Sequence, residues 1–409
     1  MSMSNYESAL QQTLAPEYIY DVPKKLVASK RQTTYFKANT SVVDDGRSIS
    51  IDIPAVDQFL ATDATHLKFV VKAPSANFHL PACGGSGLIE MIRIYHKGTG
   101  QLIDEIYEYN VLYATLHSLT VPDHVAQGPL SVLHGTATTR EPFAVGSDYK
   151  NIPSDGRMVM VPLKHTILSA HKYLPLKLTT GLRVEVTFAE ARKCLVVPTG
   201  TTNEVRYSVE DPELVCDLIK MNDKQTEAFD AAFAQSGLRI ATTCWAHHLR
   251  SWPASTQSVQ FGSRMASIKT VMVVPRKFVS TYGKDNLRSR YGRMKSYQWE
   301  LGGTHIPVKA IDSHTKAFAE VVTAMHGSVS GADTARYTQD TTDSGFVIMR
   351  ELESSKHLIS GDPTLKQKNI DLVLNLTANE GAPEARLDCF LEYDKLIQFN
   401  RDGSLEVLQ

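Results

Sequence analysis

The sequence predicts an all-β chain folded as two tandem β-sandwiches with a few short helices. Three observations carry that expectation. From about Thr33 onward the chain is mostly short runs of β-branched and aromatic residues between Gly, Pro, Asp and Asn clusters. Several runs alternate strictly. In Leu182-Arg183-Val184-Glu185-Val186-Thr187-Phe188 the even-numbered residues make one apolar face, as in a strand of an antiparallel sandwich with one wet side. Finally, one order of elements occurs twice along the chain.

Composition bounds the alternatives. The 409 residues are 42% hydrophobic and 21% charged, a globular mix with length for two to three domains. Lys and Arg total 43 against 44 Asp and Glu, for a formal net charge of −1, which argues against a dedicated nucleic-acid binder. No apolar run approaches a membrane-spanning length. The first residues, MSMSNYESALQQTLAPEY, lack a basic stretch followed by an apolar core, so no secretory signal is expected there. Cys83, Cys194, Cys216, Cys244 and Cys389 are widely spaced without a C-x-x-C pair, and read as buried small hydrophobes of a reducing compartment.

Taken in order, residues 1–32 read as a polar arm interrupted by Pro16 and Pro23. Strands are expected at Ser48–Ile53, His66–Val71, Ile89–Tyr95, Met158–Pro162 and Leu182–Phe188 in a first domain over 33–221. Asn222–Gln235 has Phe229 and Phe233 four apart and Gly237 just beyond, which predicts a linker helix within 222–237. A second domain, 238–409, takes strands at Ile268–Val274, Tyr297–Leu301, Phe346–Met349, Ile370–Leu376 and Leu387–Tyr393. Two further helices are expected: Glu105–Leu119, and Ser313–His326 capped by Ser313 and stopped by Gly327.

The two domains repeat each other. Ile92–Tyr95 runs into a glycine turn, a strand and a helix, as Tyr297–Leu301 does. Each helix precedes a long polar loop, then Met158–Leu163 or Gly345–Arg350, then an alternating strand, Val184–Phe188 or Leu372–Leu376, then a closing strand. The match of order, rather than of any single strand, marks a duplication.

The search for chemistry yields little. Zinc-protease, P-loop, nucleophile-elbow and dinucleotide motifs are missing. Gly84-Gly85-Ser86-Gly87 precedes a strand rather than a helix, and reads as a flexible turn rather than an anion cradle. His247 and His248 with Cys244 suggest a metal patch, but neighbouring residues in a strand face opposite sides and further ligands are lacking. No catalytic, cofactor-binding or metal residue is therefore assigned, and no cofactor is expected. Two basic stretches remain: Lys24, Lys25, Lys30, Arg31 and Lys37 at the arm, and Lys284, Arg288, Arg290, Arg293 and Lys295 in a loop. Both read first as solvated surface. The alternatives are contact of the arm with nucleic acid or an anionic membrane, and an inter-subunit salt bridge from the loop.

Several passages carry a family resemblance. Pro175-Leu176-Lys177-Leu178-Thr179-Thr180-Gly181-Leu182-Arg183-Val184-Glu185-Val186 with Tyr207–Val215 looks like the end of a first jelly roll. Ser263–Val274, Lys284-Asp285, and Ser296-Tyr297-Gln298-Trp299 with Gly302 and Pro307 look like the opening of a second. Glu392-Tyr393-Asp394-Lys395-Leu396 and Asp402-Gly403-Ser404-Leu405-Glu406-Val407 resemble the close of small-virus capsid proteins. Over about residues 33–409 the chain resembles double jelly-roll major capsid proteins of DNA viruses, in the lineage of polinton-like viruses and virophages.

That resemblance implies two eight-stranded jelly rolls and a non-enzymatic structural role in the virion. It implies a homotrimer forming a pseudo-hexameric capsomer, with capsomers tiling an icosahedral shell around a DNA genome. Partners would be further capsomers, penton and minor capsid proteins, and genome or membrane beneath the arm. The loops Thr120–Pro153 and Ser328–Ser344 would form outer tops or inter-subunit contacts. Two other readings share the fold class: a tandem β-sandwich lectin or receptor-binding spike, and a β-sandwich glycan hydrolase with two carboxylates in a groove.

Overall fold

A computed structural model describes residues 30–408 apart from 74–77, 137–149, 153–155, 170–172, 197–204, 263–264, 266, 278–284, 289, 335, 338–344, 354–370, 380–384 and 401–403. The first sandwich has eight principal strands: β1 (Lys30–Lys37), β2 (Ser48–Ile53), β3 (Phe59–Lys72), β4 (Ile89–His96), β5 (Leu102–Tyr107), β6 (Arg157–Pro162), β7 (Leu182–Phe188) and β8 (Ser208–Lys220). The second has β9 (Leu238–Trp252), β10 (Thr256–Phe261), β11 (Ile268–Lys277), β12 (Met294–Leu301), β13 (Thr304–Ile311), β14 (Ile348–Glu351), β15 (Leu372–Ala378) and β16 (Ala385–Phe399).

In the first sandwich one sheet runs β1-β8-β3-β6 and the other β2-β7-β4-β5. In the second they run β9-β16-β11-β14 and β10-β15-β12-β13. Each strand of the second sandwich thus holds the place of the strand eight earlier in the first, every pairing is antiparallel, and the order is that of a jelly roll. Short additions pair at the margins, among them Val42–Asp44 on β8 and Leu405–Leu408 on β16.

Alternation decides which face each strand buries. Leu182, Val184, Val186 and Phe188 of β7 are buried opposite Ile49, Ile51 and Ile53 of β2 on one side and Ile92 and Ile94 of β4 on the other. Leu372, Leu374 and Leu376 of β15 lie likewise against Val259 and Phe261 of β10 and Tyr297 and Trp299 of β12. Phe69 meets Phe188 edge-on across the first core at 5.4 Å. Each fully buried side chain of this size contributes about 1.5–3 kcal/mol of transfer free energy. All five cysteines are buried free thiols, as their spacing suggested.

The helices follow their caps. Helix α1 (Tyr109–Thr120) lies between β5 and β6, and α3 (His314–Ala324) lies between β13 and β14. Between the sandwiches, α2 (Asp223–Ser236) starts where the Asn222 side chain accepts from the Gln225 N–H, and stops at Gly237 with φ of +68°. Ser313 caps α3 in the same way, accepting from the Lys316 N–H.

Several expectations need correction. The helix expected from Glu105 begins only at Tyr109: Leu102–Tyr107 is β5, paired with β4, and the chain turns at Glu108 in a left-handed conformation, φ +50°. Ile106 reads as the start of a helical face because it stands three residues before Tyr109, but it is buried on β5 opposite Ile92. The first strand starts at Lys30 rather than Thr33. Gly84–Leu88 is no flexible turn. It is a fully buried 3-10 helix, where a Cβ on Gly84 would lie 2.2 Å from the His134 carbonyl oxygen. Residues 1–29, with Lys24 and Lys25, lie outside the described residues.

Candidate functional site

With every element in place, the chemistry of the molecule concentrates at the seam between the two sandwiches. There the edge strand β5 lies against the edge strand β9. Three buried polar clusters cross the seam, each built from residues far apart in sequence.

At the first, Asp388 on β16 is fully buried and receives Arg276 Nε at 2.8 Å, Arg386 Nη2 at 2.7 Å and His247 Nε2 at 3.0 Å. Glu108, at the β5–α1 turn of the first sandwich, accepts from the same Arg386 Nη2 at 2.6 Å and approaches Arg276 at 3.6 Å. Burial alone would push the Asp388 carboxyl up. The Arg276 guanidinium, with His247 and Arg386, outweighs burial and holds it far below the usual carboxylate range.

In the second cluster, Asp104 of β5 accepts from the Cys244 thiol of β9 at 2.5 Å and from the Ile167 N–H at 3.0 Å. Lys395 of β16 donates to the Ile103 carbonyl at 2.8 Å, with Asp104 at 3.4 Å. Burial opposes the Lys395 charge, but Asp104 beside it keeps the ammonium above its ordinary value. Burial likewise pushes the Cys244 thiol well up, so it stays protonated and donates.

The third cluster surrounds Arg290, which is fully buried. Its guanidinium meets Asp333 at 2.9 Å, the Gly345 carbonyl at 3.0 Å and Ser118 Oγ of α1 at 2.8 Å. Arg288 closes on the other Asp333 oxygen at 2.9 Å. Beside them the Ser330 and Gly331 N–H groups donate to the Leu119 carbonyl, so α1 is stitched to the loop after α3. Asp285 accepts from the Ala82 N–H across the same seam at 2.9 Å.

These placements revise two readings of the sequence. Arg288 and Arg290, expected on a solvated loop or in an inter-subunit bridge, are paired within the chain at the seam; Lys284 lies outside the described residues. In the segment Ser328–Ser344, expected as an outer top or an inter-subunit contact, Gly331 and Asp333 are buried at the seam, where Asp333 neutralises the two arginines; residues 335 and 338–344 lie outside the described residues. Cys244, His247 and His248 do not converge. Cys244 turns to Asp104 and His247 to Asp388.

Elsewhere His326, after α3, lies 3.5 Å from Glu351 and 3.6 Å from Glu353, a cluster that sequence reasoning missed because its members come from separate elements. Glu353 is tied to Lys269 at 3.1 Å, so these groups form an ion-pair network at the rim of the β11–β16 sheet.

No protein-family model matches the chain, and no curated protein matches its sequence. Solved structures match its fold over nearly the whole length. The capsid of the virus PBCV-1 superposes with a TM-score of 0.67 at 11% identity, covering 96% of this chain and 99% of that one. The Faustovirus major capsid protein gives 0.66 at 8% identity, covering 98% and 94%. The mavirus major capsid protein gives 0.53 at 10% identity, covering 97% and 93%.

Proposed function

We propose that this chain is a major capsid protein, a structural and non-enzymatic subunit whose work is done by its surfaces. The observation that carries the reading is the superposition of both jelly rolls together, in one arrangement, on viral capsid proteins. Charge pairs cross the seam, Glu108 with Arg386 and Asp104 with Lys395, and a fixed arrangement of the two sandwiches is what a repeating shell unit requires. Three such blocks form a pseudo-hexameric capsomer, and capsomers tile an icosahedral shell enclosing a DNA genome. Penton and minor capsid proteins complete the shell, and genome or membrane is the partner proposed for the basic segment before β1, which lies outside the described residues. A net charge of −1 leaves little like-charge repulsion between copies. The matched structures are capsid proteins, so the lectin, spike and hydrolase readings gain no support from them.

Light scattering on the purified chain, of 45.3 kDa, tests this. The expected result is a trimer of about 136 kDa. A monomer that persists at high concentration overturns it.

A further inference from the structure

We propose that His326, Glu351 and Glu353 bind a divalent transition-metal ion of the zinc class at the rim of the second sandwich. One ligand atom from each of the three lies within 4.8 Å of the other two. The site lies within one chain, away from the charge clusters of the seam, and does not depend on the capsid reading.

Three elements bring the ligands together. Helix α3 ends just before His326, which stands at φ +50° and donates its N–H to the Thr323 carbonyl. Glu351 is the last residue of β14, opposite Thr270 of β11. One further bond, from the Leu352 N–H to the Lys269 carbonyl at 2.7 Å, extends that pairing and sets Glu353 beside Lys269.

Two independent observations point to an ion. The first is spacing. His326 Nδ1 lies 3.5 Å from Glu351 Oε1, and His326 Nε2 lies 3.6 Å from Glu353 Oε2. Both are long for hydrogen bonds. Two ligands each about 2.0–2.2 Å from one tetrahedral ion, however, stand about 3.3–3.6 Å apart. The two contacts use opposite ring nitrogens, so the ion takes one of them, and a ring 41% exposed has room to turn toward it.

The second observation is charge. The Glu353 side chain is only 4% exposed and shares Lys269 with Asp394, at 3.1 and 3.9 Å, while Glu392 also acts on that ammonium. Arg350, next to Glu351, is taken by Glu320 of α3. Four carboxylates therefore gather about one ammonium and one imidazole. Counted as ionised, they exceed that ammonium and an imidazolium by two charges, the charge of the proposed ion. Buried negative charge without a counter-charge is costly, and a dication supplies one.

The donor set selects the metal. Calcium and magnesium favour oxygen ligands alone, whereas an imidazole beside carboxylates suits zinc and its transition-metal neighbours. Three protein ligands leave a fourth position for water, and the exposed side of His326 gives the ion its way in. Once bound, the ion ties the end of α3 to the end of β14.

The test uses the full chain, treated with a chelator that is then removed, and titrated with zinc chloride in a calorimeter. Glu351→Gln and His326→Asn are titrated alongside. The first change keeps size and removes charge; the second suits the left-handed backbone at that position. Glu353 is left intact so that Lys269 keeps its partner. The expected result is one zinc ion per wild-type chain and a thermal midpoint that rises with zinc. Each variant should bind at least about tenfold more weakly, the loss that even outer partners of a metal site bring. Wild-type protein that takes up no zinc overturns the proposal. So does uptake that both variants retain in full, which would place the ion on scattered surface histidines. Should one variant fail to fold by circular dichroism, the other decides by the same criterion. Should both fail, competition by cobalt(II) on the wild type decides: the visible spectrum of a four-coordinate ion supports the site, and that of a six-coordinate aqueous ion overturns it.

Discussion

Replacing Asp388 with alanine is expected to destabilise the fold by about 3–5 kcal/mol, among the largest effects of any single substitution in the chain. Asp388 is fully buried and answers Arg276, Arg386 and His247 together. Removing it leaves two guanidiniums in the seam with Glu108 alone to share between them. Charged groups taken from water and then unpaired bear their desolvation cost without return. Asp388→Asn keeps the shape and loses the charge, so it separates packing from electrostatics and should recover only part of the loss. Urea unfolding of the three proteins at one protein concentration measures it. A loss below about 1 kcal/mol would mean that Glu108 or solvent serves both arginines, and that the seam is held by its apolar contacts.

The second large effect is a sensitivity to acid. His117 on α1 and His134 are packed together, with ring centroids 5.8 Å apart. Burial, helped for His117 by Lys164 and for His134 by His117, lowers them to about 4 and about 3. Their value in the unfolded chain is the ordinary 6.5. Above that value both states are neutral and neither histidine affects the balance. As the pH falls below it, the unfolded chain binds protons that the folded chain refuses, so stability is lost until the folded values are reached. At pH 5 the loss is about 2 kcal/mol for each histidine. Glu392 acts oppositely: burial raises it to about 7, so it binds its proton earlier in the folded state and returns part of the loss. The clean readout is a difference. Between pH 7 and pH 5, a His117→Leu, His134→Leu double variant should lose about 4 kcal/mol less than the wild type. Equal losses in the two proteins would show that these histidines titrate normally in the fold.

Much of the architecture was legible because it depends on local pattern. Alternation in Leu182–Phe188 and Leu372–Leu376 located the central strand of one sheet in each sandwich, and Asn222, Ser313, Gly237 and Gly327 marked helix ends. The repeat was visible because each core strand kept its place in the order. Strand β9 was harder to see, since Thr242, Thr243, His247, His248 and Arg250 break its apolar rhythm where it serves the seam rather than a single core. The seam itself was hidden for a related reason. Glu108 and Arg386 are 278 residues apart, and a charged residue gives no sign in sequence of whether it meets water or a distant partner. Arg290 looked like surface for the same reason: its neutralising Asp333 comes from a loop in another part of the second sandwich.

The central claim is that the chain is a building block of a closed shell. Class averages of the purified protein in vitreous ice test it most directly. The account predicts particles of three chains with a six-lobed outline, one lobe for each jelly roll. Isolated two-lobed particles at every concentration would contradict it.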